Sequence, residues 1–91
     1  MLHSYKELTV WQKSMDLVTV IYTLTENFPK EEMYGLTSQM RKCAVSIPSN
    51  IAEGRLRGTR KDFVQFLRIA YGSGGELDTQ LEIVRRIGLM K

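Results

Sequence analysis

From Phe63 to Val84 the apolar and small residues of this 91-residue chain recur at one regular interval. Phe63, Phe66, Leu67, Ala70, Gly74, Leu77, Leu81 and Val84 fall three or four places apart, with Phe66 and Leu67 adjacent. A helix brings such positions to one face, because 3.6 residues complete a turn. The same interval appears at Val10, Leu17, Val18, Ile21, Leu24 and Phe28, and again at Leu36, Met40, Cys43, Ala44, Ile47 and Ile51. Three amphipathic helices bury their stripes by packing on one another. The fold read from this pattern is all-α, an antiparallel up-down helical bundle, with residues 1–91 forming one domain.

Local signals set the ends of the helices. Thr9-Val10-Trp11-Gln12 has the form of a capping box, which starts the first helix near residue 9. Pro29 pushes the residue before it out of the α region, so that helix stops near residue 27. Pro29 then opens one short turn with Glu31 and Glu32, and Gly35 permits a change of direction. The second helix meets Pro48, which lacks an N–H and crowds the Ala44 carbonyl, at a cost of about 3 kcal/mol. Either two helices meet there or one kinked helix continues to about Arg55. The phase shared by Ile47 and Ile51 favours the single helix, with Ser46 and Ser49 taking up freed backbone groups. A basic loop is expected from Gly54 to Gly58. Thr59 caps the third helix, with Asp62 in its first turn. Gly72-Ser73-Gly74-Gly75 invites a loop, since each mid-helix glycine costs about 0.8–1 kcal/mol. Ala70 and Leu77 stay in phase across it, so one helix is expected from residue 60 to 87, ended by Gly88. Its small residues would let another backbone approach, opposite Ala44, Ser46, Ala52 and Gly54.

Catalytic chemistry finds no foothold. Tyr71-Gly72-Ser73-Gly74-Gly75 is not a nucleophile elbow, which needs Gly two places before the Ser, and no Lys follows to make a phosphate loop. The one histidine, His3, sits near the terminus, and the one cysteine, Cys43, has no second Cys for a disulfide or a zinc site. Cys43 reads as a small buried apolar residue. Glu31 and Glu32 are adjacent and point apart. No cofactor, metal or catalytic residue is expected. No apolar run approaches the roughly 20 residues that cross a bilayer, and no secretion signal opens the chain. A reducing cytoplasm is the expected compartment.

Charge is unevenly placed. Between Arg41 and Arg68 stand seven basic residues, Arg41, Lys42, Arg55, Arg57, Arg60, Lys61 and Arg68, against Glu53 and Asp62. The rest of the chain carries six basic and eight acidic residues. A basic middle third is the footprint of a polyanion partner, or else a solvated face that keeps the protein soluble. If nucleic acid binds, the Arg55, Arg57, Arg60 and Lys61 cluster is expected to carry it. No aromatic residue is interleaved there, which points to sequence-independent phosphate contact. Gln39, Ser46, Asn50 and Glu53, with Arg41, are expected to form a polar seam between helices that sets register.

Three stretches carry a resemblance. They are Leu8-Thr9-Val10-Trp11-Gln12-Lys13, then Tyr34 to Arg41 continuing through Ser46-Ile47-Pro48-Ser49-Asn50-Ile51-Ala52-Glu53-Gly54, and Phe66 to Ser73 continuing from Glu76 to Leu81. In this order the chain resembles the four-helix-bundle family named for reading frames inside intervening sequences of bacterial 23S rRNA genes. The resemblance implies an antiparallel four-helix bundle that assembles into a pentameric ring. It also implies likeness in fold to the accessory variability protein of diversity-generating retroelements, a basic pentamer that works with a reverse transcriptase and binds nucleic acid. The family pattern continues past Gly88-Leu89-Met90-Lys91 into a fourth helix. Three helices with a fourth position empty or filled by another chain are therefore expected here.

Two functions stay open at this point. One is a non-enzymatic, oligomeric accessory factor that binds RNA or DNA. The other is an adaptor for a protein partner. Trp11, Phe63, Phe66, Leu77 and Leu81 offer more apolar surface than three helices are expected to cover, which predicts a closed homo-oligomer rather than a compact monomer.

Overall fold

The computed structural model describes residues 4–89; His3, Met90 and Lys91 lie outside them. Three α-helices dominate: α1 (Thr9–Thr25), α2 (Leu36–Leu56) and α3 (Arg60–Ile87). Short 3-10 turns at Tyr5–Glu7 and Lys30–Glu32 precede α1 and α2. The 28 residues of α3 span about 42 Å at 1.5 Å per residue, nearly the 45 Å length of the molecule.

α1 starts at the expected residue, without the expected cap, and ends at Thr25, two residues before the expected end. Thr9 does not cap α1. The cap position is Leu8, with no side-chain hydrogen bond. The chain already turns at Tyr5–Glu7, where Ser4 Oγ accepts from Lys6 N, and the Gln12 amide donates to the Lys6 carbonyl at 3.0 Å. Tyr5 packs edge-on against Trp11, with centroids 5.4 Å apart. The helix start near residue 9 is thus the expected one, and only its cap differs. The basic loop is shorter than expected: Gly54, Arg55 and Leu56 are helical, and only residues 57–59 link α2 to α3.

Pro48 lies inside α2, which runs unbroken from Leu36 to Leu56. Ser49 Oγ donates to the Val45 carbonyl, Ser46 Oγ to that of Cys43, and the Asn50 amide to that of Ser46. These bonds engage carbonyls around the missing one rather than the Ala44 carbonyl itself. Residues 72–75 are helical, so α3 is continuous. Thr59 Oγ1 accepts from Asp62 N at 3.1 Å and caps it. At its other end Gly88 takes φ +78°, Leu89 N donates to Val84 O and Gly88 N to Arg85 O. That paired pattern closes the helix and folds Leu89 back onto the core.

The core gathers Ile21 of α1, Met40, Cys43, Ala44, Ile47 and Ile51 of α2, and Ala70, Leu77 and Val84 of α3. α2 packs against both neighbours, whereas no Cα of α1 comes within 8 Å of one in α3. α2 thus lies between α1 and α3. Leu77, expected to be left wet, is 2% exposed. Trp11, Phe63 and Leu81 are half-buried against the core, and Phe66 is half-buried beside Gly54. Val10, placed on the α1 stripe, is exposed instead.

The close approach of backbones is as expected at Gly54 but not at the glycines of α3. A Cβ at Gly72, Gly74 or Gly75 would meet nothing within 4 Å, so these glycines do not serve packing. The tight point is Gly54, where a Cβ would lie 2.6 Å from Phe66 Cβ. Ser73 supplies the contact from within the glycine run, its hydroxyl 2.7 Å from that of Ser46 and its carbonyl accepting from the Cys43 thiol at 2.9 Å.

Candidate nucleic-acid interface

The basic residues of the middle third do not form one patch. Arg41 and Lys42 lie in the first half of α2, about 20 Å along the helix axis from Arg55 at 1.5 Å per residue. Arg60, Lys61 and Arg68 lie in the first half of α3.

The α3 group is the simplest. Arg60, Lys61 and Arg68 are exposed, and with Val64, Gln65 and Ile69 they line a shallow depression of about 840 Å³. Their spacing of one, seven and eight residues keeps them on neighbouring tracks of one helix surface. None has an ion-pair or hydrogen-bond partner among the described residues. Arg57, beside them in the link, is differently placed. Its Nε donates to Glu53 at 2.9 Å, and its guanidinium lies over the Phe66 ring at 5.1 Å. Arg55 is half-buried.

The α2 group borders a cleft of about 810 Å³ between the end of α1, the turn at Lys30–Glu32 and the start of α2. Arg41 is held rigidly there. Its Nε donates to Thr25 Oγ1 at 2.8 Å, and its guanidinium lies 4.5 Å from the Tyr22 ring centroid. Thr25 is itself buried and donates to the Ile21 carbonyl at 2.7 Å. Lys42 is exposed at the rim. Sequence reasoning did not join the aromatic side of this cleft, because Tyr22 and Tyr34 are 12 residues apart and only the fold brings both into one cleft with Arg41.

The expected polar seam reduces to one crossing. Ser46 reaches Ser73 on α3, while Asn50 bonds within α2. Gln39 is exposed, and Glu53 is exposed and paired with Arg57. Their positions on the outer flank of α2 point them to water. Arg41 links α2 to α1 rather than to this seam.

The chemistry of the remaining groups is structural. Cys43 is buried, and burial pushes its thiol above the ordinary range, helped by the nearby Glu76 carboxylate. A neutral thiol donating to a carbonyl is a poor nucleophile. Among the described residues no three His, Cys, Asp or Glu side chains gather as a metal site, and no helix is long and apolar enough to cross a membrane.

Fold and surface together define a small antiparallel helical protein with separate basic tracts and no assembled catalytic group among its described residues. The sequence model of the 23S rRNA-intervening sequence proteins matches residues 6–91, and the chain belongs to that family. It is a family of small helical proteins and not a known enzyme family. No curated protein matches the chain.

Proposed function

We propose that this protein is a non-enzymatic accessory factor that binds nucleic acid through phosphate contacts and works as a homo-oligomer. The observation that carries the reading is the strip of Arg60, Lys61 and Arg68, which faces water without an acidic partner. A cation that stabilises no internal pair remains free to displace counterions from a phosphate backbone. The backbone N–H groups at the start of α3 add favourable potential for an anion. No aromatic side chain lines this strip, so it contacts phosphates irrespective of base. Assembly would cover apolar side chains that the lone chain leaves exposed, among them Val20, Leu56, Tyr71 and Ile87.

Retention of RNA and of duplex DNA at low ionic strength tests this. Binding is expected for both, with an affinity that falls steeply as salt rises. A shallow salt dependence with a protein ligand and no retention of either nucleic acid would establish the adaptor reading instead. Light scattering at micromolar concentration is expected to return a multiple of the 10.5 kDa chain mass; a sharp monomer mass would remove the oligomer.

A further inference from the structure

The cleft at the end of α1 combines groups that the α3 strip lacks. Tyr34 is 93% exposed, so its ring contributes almost nothing to the fold. It stands in the wall of the same cleft as Tyr22, Met33 and Val45, all of which leave apolar surface in water. Three cations, Lys30, Arg41 and Lys42, line the cleft against one acid, Glu26. Arg41 is already fixed by Thr25 and by the Tyr22 ring, and its terminal nitrogens have no acceptor among the described residues. Such a guanidinium loses little freedom when it binds an anion, which makes it a better phosphate ligand than a mobile surface lysine.

We propose that this cleft takes one unpaired nucleotide of a single-stranded nucleic acid, its base against the Tyr34 ring and its phosphate between Arg41 and Lys42. The assignment rests on the polyanion reading above and sharpens it. A free aromatic face in the same cleft as a fixed cation suits a base with an exposed face, and bases inside a duplex have none to offer. The excess of positive lining charge disfavours a purely apolar partner helix. The protein thus carries a non-selective phosphate strip on α3 and, near the other end of α2, a site that selects single strands.

The test uses the full chain and two labelled probes, an oligouridylate of about 12 nucleotides and an RNA duplex of similar length, read by fluorescence anisotropy. Tyr34→Ala is expected to weaken the single strand about tenfold, within the range of one lost base stack, and to leave the duplex within about twofold. Tyr34→Phe keeps the ring and is expected to keep the affinity. Lys42→Gln is expected to weaken the single strand more than the duplex. Both positions are exposed, so thermal unfolding should match the parent chain. An unchanged preference in Tyr34→Ala, or equal loss on both probes, overturns the cleft assignment and leaves the α3 strip standing. Failure of the parent chain to bind either probe overturns both readings. Displacement of the oligouridylate by polyglutamate at equal charge would make the occupant an acidic protein and overturn the cleft assignment too.

Discussion

Replacing Gly54 by alanine tests how tightly α2 and α3 are joined. In most helices this change is favourable, by about 1 kcal/mol, because alanine gives up less backbone freedom. Here the new Cβ would stand 2.6 Å from Phe66 Cβ, 3.3 Å from Phe63 Cα and 3.4 Å from Phe63 Cδ1. Carbon atoms in good contact lie about 3.5–4.0 Å apart. Phe66 Cβ and Phe63 Cα are fixed to the α3 backbone and cannot rotate away, so the helices must separate by roughly 1 Å at this point. Overpacking of that kind costs about 1–3 kcal/mol, and a clash against backbone-fixed atoms belongs at the upper end. Set against the gain in propensity, the net loss is about 2 kcal/mol, or roughly 8–16 °C in Tm for a domain of this size. Thermal unfolding followed by circular dichroism, at one protein concentration, measures it. Gly72→Ala and Gly75→Ala are the internal controls, since their new methyls meet nothing within 4 Å. They are expected to raise Tm by about 4–8 °C each. A Gly54→Ala protein as stable as these controls would refute the close packing of α2 on α3.

Two further outcomes concern buried polar groups. Gln80 is buried with its side-chain oxygen unpartnered, a condition that costs about 1–3 kcal/mol, so Gln80→Met should raise Tm in the same assay; a fall would show that the amide holds a partner. The Cys43 thiol ionises at higher pH in the folded protein than in the unfolded chain. Stability should therefore decline as the pH rises through about 8.5 and above, where only the unfolded chain loses the proton, and Cys43→Ala should lose that part of the decline. Urea titrations of both proteins from neutral to alkaline pH check it, and parallel curves would count against a buried thiol.

The sequence pattern was sufficient for the helices wherever an apolar stripe kept its phase. Ile47 and Ile51 carried α2 through Pro48, and Ala70 and Leu77 carried α3 through the glycine run. It was insufficient wherever a contact between distant residues decided the outcome. Gly54 was legible as a small residue facing α3, but Phe66 as the side chain that approaches it was not. The basic residues were legible as a charge excess. Their division was not, because Arg57 finds Glu53 and Phe66, and Arg41 finds Thr25 and Tyr22, only in the folded chain.

The central claim is that free cations on α3 bind phosphates, and a salt titration tests it most directly. The affinity of the chain for duplex DNA would be measured from about 50 to about 200 mM salt, beside a variant carrying Arg60→Gln, Lys61→Gln and Arg68→Gln. The parent is expected to give a linear fall of log affinity with log salt, with a slope near −0.9 per phosphate contacted. The variant should bind more weakly on every sequence, with a slope shallower by up to about 2.7 if each side chain meets one phosphate. A parent chain that retains no DNA at the lowest salt, or a variant that keeps the full slope, would contradict the account.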